Sequence, residues 1–133
     1  MLREQVSLGV RTCVAEALEL ALESVTEEAS IIGNLGADSL DLLDLTFRLE
    51  QRFGLSISPR EMERRIRAKL GEAPLEVDGV YTPQAMVELR AAMPEVPPEE
   101  LPDNLGQGEL PSRLRVATLV NLVGRLLEER EHG

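Results

Sequence analysis

An all-α fold is the expectation for this chain of 133 residues, and three observations carry it. Hydrophobic residues make up 43% of the sequence but aromatic residues only 2%, with no Trp. The core therefore has to be built from Leu, Val, Ile, Ala and Met, a mixture that suits packed helices better than a β-sandwich. Apolar residues recur at three- and four-residue spacing in several long stretches. Those stretches are bounded by helix-capping residues. The length fits one domain of ordinary size, or a minimal domain enlarged by an insertion, so a single domain over residues 1–133 is expected.

The first element is an amphipathic helix from Leu2 to about Leu22, with Leu2, Val6, Val10, Val14, Ala17, Leu18, Ala21 and Leu22 on its apolar side. Cys13 falls in this stretch and reads as a core residue. A loop from Glu23 to Ala37 follows, anchored by Ile31, Ile32 and Leu35, with Gly33, Asn34 and Gly36 near its end. Asp38 and Ser39 then supply a start signal for a second helix that runs to about Phe53, where Gly54 suits a left-handed terminal residue. Leu42, Leu45, Leu49 and Phe53 form its core face; Leu40, Leu43 and Phe47 form a neighbouring stripe, more apolar surface than one core face needs. A third helix is expected after Ser58, with Pro59 at its first position and Met62, Ile66 and Leu70 turned inward before Gly71. Between Glu72 and Ser112 lie Pro74, Pro83, Pro94, Pro97, Pro98, Pro102 and Pro111, seven of the eight prolines in the chain. There Thr82 and Pro83 predict the start of a short helix through Ala92, with Met86, Val87, Leu89 and Met93 needing burial, and the remainder reads as mostly irregular. A last amphipathic helix spans Arg113 to about Glu129, and the residues beyond it, with the lone His132, read as a fraying tail.

Against 14 Lys and Arg stand 24 Asp and Glu, a net charge of −10. Such a surface repels phosphate backbones and anionic lipids and favours partners with basic docking faces, which argues against nucleic acid as a ligand. One cysteine leaves no internal disulfide and no cysteine-rich zinc site, consistent with a reducing compartment. Arg3, Glu4 and Arg11 interrupt the N-terminal apolar run, so it does not read as a signal peptide. No stretch approaches the roughly 18 uninterrupted apolar residues of a spanning helix, and a cytoplasmic location without stable membrane insertion is expected. Asp38, Asp41 and Asp44 follow helical rather than calcium-loop spacing, so no metal is expected. Nor is catalysis, because the only histidine lies in the tail and no nucleophile has an evident base.

The informative stretch is Gly36-Ala37-Asp38-Ser39-Leu40-Asp41-Leu42-Leu43-Asp44. Taken alone, Asp38 or Ser39 is adequately explained as an N-cap. A serine at a helix start also sits where free N–H groups and the positive end of the dipole favour an attached anion. Asp38, Asp41 and Asp44 make an acidic ridge beside Leu40, Leu43 and Phe47, a surface suited to transient docking.

Leu35-Gly36-Ala37-Asp38-Ser39-Leu40 resembles, at every position, the Leu-Gly-x-Asp-Ser-Leu hallmark of the acyl carrier protein family. The similarity continues through Leu45, Leu49, Glu50 and Phe53 to Ile57, and Arg115-Val116-Ala117-Thr118-Leu119-Val120 resembles the family's closing helix. The resemblance implies a four-helix bundle, with a carrier core over 2–71 and 113–129 and a partly helical insertion over about 72–112. It implies that Ser39 receives a 4′-phosphopantetheine arm from coenzyme A by the action of a phosphopantetheinyl transferase. The arm's thiol would then hold acyl groups as thioesters. Asp38, Leu40, Asp41, Leu43, Asp44 and Phe47 would dock that transferase and the acyl-loading, acyl-modifying and acyltransferase enzymes that follow, the carrier itself being a monomer that catalyses nothing.

Two features depart from the family pattern. The insertion has no counterpart in the usual compact carrier, and it is expected to reshape the acyl pocket or to offer a second docking surface. Arg48 and Arg52 interrupt the acidity of the second helix, which points to a specialised fatty-acid, lipid or polyketide carrier. A peptidyl carrier shares the fold and the serine, but Ala37-Asp38-Ser39-Leu40 and the strong acidity favour the acyl type. An unmodified acidic helical adaptor would use the same ridge without any prosthetic group.

Overall fold

The computed structural model describes residues 1–57 and 60–132. Helices α1 (Arg3–Leu18), α2 (Ser39–Phe53), α3 (Glu61–Leu70), α4 (Pro83–Ala92) and α5 (Val116–His132) carry the fold, with one two-stranded hairpin of β1 (Glu76–Val77) and β2 (Val80–Tyr81). The all-α class is therefore as expected. The chain forms two compact units, residues 1–57 with 114–133 and residues 58–113.

In the first unit α1 packs on both α2 and α5. Val6, Val10, Cys13 and Val14 of α1, Leu45, Leu49 and Phe53 of α2, and Val116, Val120, Val123 and Leu127 of α5 form one core, with Val25, Ala29 and Ile31 from the intervening loop. Of the expected α2 core face, Leu42 is only half-buried but packs against this core. Helix α1 ends four residues earlier than its apolar periodicity suggests. Glu19 turns left-handed, with φ 56° and ψ 47°, and the amides of Glu19 and Leu20 both donate to the Ala15 carbonyl, the latter at 2.9 Å. Leu22–Ser24 then form a 3₁₀ turn. The end of α2 is where Gly54 places it, in the left-handed region with φ 64°.

The loop before α2 is built by hydrogen bonds. The Ser30 amide donates to Asn34 Oδ1 at 2.7 Å and the Gly33 amide to Ser30 Oγ at 2.9 Å. The Gly36 and Ala37 amides donate to the carbonyls of Ile32 and Ile31, at 3.0 and 3.1 Å. The loop is tied to the start of α5 by an antiparallel bridge of Ser30 with Arg115, and by bonds from the Ile31 amide to the Leu114 carbonyl and from Val116 to Ala29. Helix α5 begins at Val116 rather than Arg113, because Gln107–Arg113 coil into a 3₁₀ turn and the Arg115 amide donates to Thr118 Oγ1. Its far end continues through His132, so the expected fraying tail is helical. After Gly124, inside the helix, no Gly or Pro occurs in residues 125–132 to stop it.

In the second unit α3 packs on α4. Ile66 of α3 is fully buried while Met62 and Leu70 are half-buried, and Gly71 takes a positive φ. The expected start of this helix at Ser58 and Pro59 lies outside the described residues. Thr82 Oγ1 accepts the Ala85 amide at 3.2 Å, with Pro83 at the first helical position, as the sequence predicts for α4. Met86, Leu89 and Met93 are buried, but Val87 is 60% exposed and does not join them. Helical geometry accounts for this, since Val87 lies one residue off the 86–89–93 stripe. Tyr81 is buried, and its hydroxyl donates to Glu63 Oε1 at 2.6 Å. Burial and the Glu63 carboxylate together hold the phenol well above its ordinary value. The irregular segment is held by arginines: Arg90 Nε donates to the Leu101 carbonyl and Arg113 Nε to the Glu100 carbonyl, each at 2.8 Å.

Candidate functional site

The start of α2 is a capping box centred on Asp38. The Asp38 carboxylate accepts the Asp41 amide at 2.9 Å, and the Asp41 carboxylate accepts the Asp38 amide at 3.0 Å. Asp38 has the extended backbone of an N-cap, φ −112° and ψ −174°, and Gly36 just before it takes φ 77°. Ala37 is buried between them and holds the strand of loop in place. Asp38, not Ser39, is thus the cap, and Asp41 three residues on was the sequence signal that decides between them.

Ser39 becomes the first residue of α2, exposed to solvent. Among the described residues no hydrogen bond engages its hydroxyl. The Asp38 and Asp41 amides are used by the box and the Leu42 amide donates to the Asp38 carbonyl, which leaves the Ser39 and Leu40 amides facing outward at the positive end of the helix. These two amides can hold an anionic group carried on the adjacent hydroxyl.

Beyond Ser39 the exposed stripe is as the sequence predicts, with Leu40 at 74%, Leu43 at 64% and Phe47 at 59% exposure. Beside it run Asp41, Asp44, Arg48 and Arg52. Arg48 Nε donates to Asp44 Oδ2 at 3.0 Å, and its Nη1 lies 3.9 Å from Glu16 Oε1 of α1. The hydrogen bond that Arg48 donates to Asp44 raises the Arg48 pKa above its ordinary value. Asp44 thus has a partner on its own helix, and the residue of α1 near Arg48, Glu16, was not singled out by the sequence because no local pattern links it to Arg48.

An open cleft of about 490 Å³ beside Phe47 is lined by Cys13, Glu16, Asp44, Phe47, Arg48, Gln51 and Arg52. A second, of about 320 Å³, is lined by Met1, Gln5, Leu8, Gly9, Arg52 and Phe53. Arg52 is common to both. Cys13 is buried as expected, and that burial pushes its thiol above its ordinary value.

Among the described residues no helix is long and apolar enough to cross a membrane. The phosphopantetheine attachment site family matches residues 9–72, a stretch that contains all of α2 and the capping box. The chain is 40% identical over 62 residues to an acyl carrier protein of Thermotoga maritima, covering 47% of this chain and 76% of the relative. It is 43% identical over 60 residues to an acyl carrier protein of Campylobacter hominis, covering 45% of this chain and 76% of that relative. No solved structure gives a significant match.

Proposed function

Because this chain belongs to the acyl carrier protein family, whose members are carriers bearing a covalent 4′-phosphopantetheine group and not catalysts, we propose that Ser39 is the attachment residue and that the carrier serves a specialised fatty-acid, lipid or polyketide pathway. The observation that carries the assignment is the division of labour at the start of α2. Asp38 caps the helix, so the Ser39 hydroxyl is exposed and unengaged among the described residues. The outward Ser39 and Leu40 amides and the helix dipole suit a phosphodiester at that oxygen. When attached, the arm supplies a thiol on which acyl groups are held as thioesters.

Asp38, Leu40, Asp41, Leu43, Asp44 and Phe47 are the proposed docking residues for the transferase and for the acyl-loading, acyl-modifying and acyltransferase enzymes. The proposed core of residues 2–71 and 113–129 carries the arm, and the segment over 72–112 gives a dedicated enzyme a further surface. Its own set of buried residues, Tyr81, Met86, Leu89, Met93, Leu101 and Leu105, supports an ordered element rather than a linker. Arg48, which pairs with Asp44 and places a cation beside the ridge, supports a carrier whose partners differ from the general fatty-acid enzymes. A monomeric, cytoplasmic state is the proposed setting, favoured by the net charge of −10 and the single, buried cysteine.

The test is the intact mass of the protein after incubation with coenzyme A, magnesium and a broad-specificity phosphopantetheinyl transferase, beside Ser39→Ala. One phosphopantetheine added to the wild type and none to the variant is expected. An equal gain in both would move the attachment to another residue.

A further inference from the structure

On the flank of α2 that borders α1, Asp41, Asp44, Arg48 and Arg52 recur at three- and four-residue spacing and so form one stripe, reading acid, acid, base, base from the Ser39 end. It runs alongside the exposed Leu40, Leu43 and Phe47. The middle of the stripe already has partners within the chain, since Arg48 is paired with Asp44 and lies near Glu16. What a partner meets is a negative end at Asp38 and Asp41 and a positive end at Arg52.

The helix dipole accounts for acids first and bases last, but it does not give Arg52 a task. The carbonyls at the end of α2 are served by a different residue: Arg130 Nη1 donates to the carbonyls of Phe53 and Gly54, both at 2.9 Å. Among the described residues no hydrogen bond or ion pair engages Arg52. Its side chain is nevertheless positioned, for it lies over Gly9 of α1, where a Cβ would come within 3.1 Å of Arg52 Nε, and it forms a wall of both clefts. A cation laid in place between two clefts and left without an anion is suited to an anion brought by a partner.

Resting on the reading of Ser39 as the attachment residue, we propose that the docking surface of this carrier is bipolar. The phosphopantetheinyl transferase that modifies it presents basic residues to Asp38 and Asp41 and a carboxylate to Arg52. The transferase is the partner to which this applies first because it has to reach Ser39 itself. Ser39 and Arg52 are thirteen residues apart on one helix, about 20 Å at the α-helical rise, and an interface side of about 800 Å² spans that distance when it lies along α2.

The experiment uses the full-length protein, the transferase of the same organism, coenzyme A and magnesium, with loading followed by intact mass to give KM for the carrier and kcat. Arg52→Glu raises KM about tenfold and Arg52→Ala about threefold with kcat unchanged, as removal or reversal of a charge at an interface rim does. Arg52→Lys stays near wild type. Glu128→Arg, an exposed charge reversal on α5, leaves KM unaltered. The Arg52→Glu deficit shrinks as ionic strength rises. A KM for Arg52→Glu within about twofold of wild type, or below it, would overturn the bipolar surface while leaving Ser39 as the attachment residue. A wild-type protein that gains no mass would overturn the Ser39 reading and this inference with it.

Discussion

Asp38 and Ser39 are adjacent, both are good helix-capping residues, and the structure gives them different work, so exchanging each for alanine should separate them. In Asp38→Ala the Asp41 amide loses its acceptor, while the bond from the Asp38 amide to Asp41 Oδ2 survives because it uses only backbone at position 38. Loss of the cap costs about 1 kcal/mol, and loss of a carboxylate from the positive end of the helix adds about 0.5 kcal/mol at that exposed position. The sum is about 1.5 kcal/mol, or a fall in Tm of about 5 °C for a chain of this size. Asp38→Asn keeps an acceptor in place and gives up only the charge, so its loss stays near about 0.5 kcal/mol. Ser39→Ala removes a hydroxyl that no residue engages and improves the intrinsic helix propensity of an exposed site, and it changes stability by no more than about 0.5 kcal/mol. Urea unfolding at pH 7, followed by far-ultraviolet circular dichroism, measures all three. If Ser39→Ala destabilised the protein as much as Asp38→Ala, Ser39 would be a cap and the argument for its free hydroxyl would collapse.

Tyr81 is the only tyrosine, so its ionisation can be read directly from the ultraviolet absorbance of the native protein. Its ordinary pKa is 10.0 and the folded protein raises it; the native absorbance should therefore stay silent at pH 10, where an exposed phenol is half ionised, and stability should fall above pH 10 as the unfolded chain alone loses the proton. A native titration centred at pH 10 would mean that the hydroxyl is not held by Glu63. Glu27 behaves in the opposite sense. Its pKa is lowered from an ordinary 4.5, first by the hydrogen bond from Arg3 and against the cost of burial, with Ser7 also donating at 2.6 Å. Its contribution is thus present above pH 4.5 and lost as pH falls through the folded value. Glu27→Gln should cost less than about 1 kcal/mol at pH 7, because the pair is partly solvated, and should flatten the acid limb of the stability profile. An unchanged limb would show that the Arg3 pair contributes nothing.

What could be read from the sequence follows the range over which each feature is determined. The bounds of α2 and α4 are local chemistry: Asp38 and Thr82 at the starts, Pro83 at the first position, and Gly54 at an end that wants a positive φ. The hairpin at residues 76–81 had a local signal too, since Asp78 and Gly79 carry φ 54° and 81° between two valines, the sequence pair that most favours such a turn. Lone two-residue strands are too short for alternation to be seen. The end of α1 was not legible, because Glu19 adopts a left-handed conformation that its residue type does not advertise. The start of α5 depends on bonds to residues some ninety positions earlier, as in the bond from Val116 to Ala29. Charges divide the same way. The Asp44–Arg48 pair is visible as an i, i+4 spacing, while the approach of Glu16 and the use of Arg130 to serve the end of α2 exist only once α1 and α5 have packed.

That last contrast bears on how a carrier surface is tuned. In a helix considered alone, Arg48 and Arg52 both sit in the second half, where the dipole favours a cation, but only Arg48 has an acid, Asp44, four residues before it; four before Arg52 stands Arg48 itself. Packing widens the difference. Asp44 bonds Arg48 and Glu16 lies 3.9 Å from it, so its positive charge already has partners within the chain. Arg130 relieves Arg52 of the helix end, so its charge is left for whatever approaches. Substituting Arg130 should therefore change the docking surface without touching it. With the Phe53 and Gly54 carbonyls unserved, Arg52 becomes the nearest cation on α2 that can turn toward them, and the positive end of the ridge is weakened from behind.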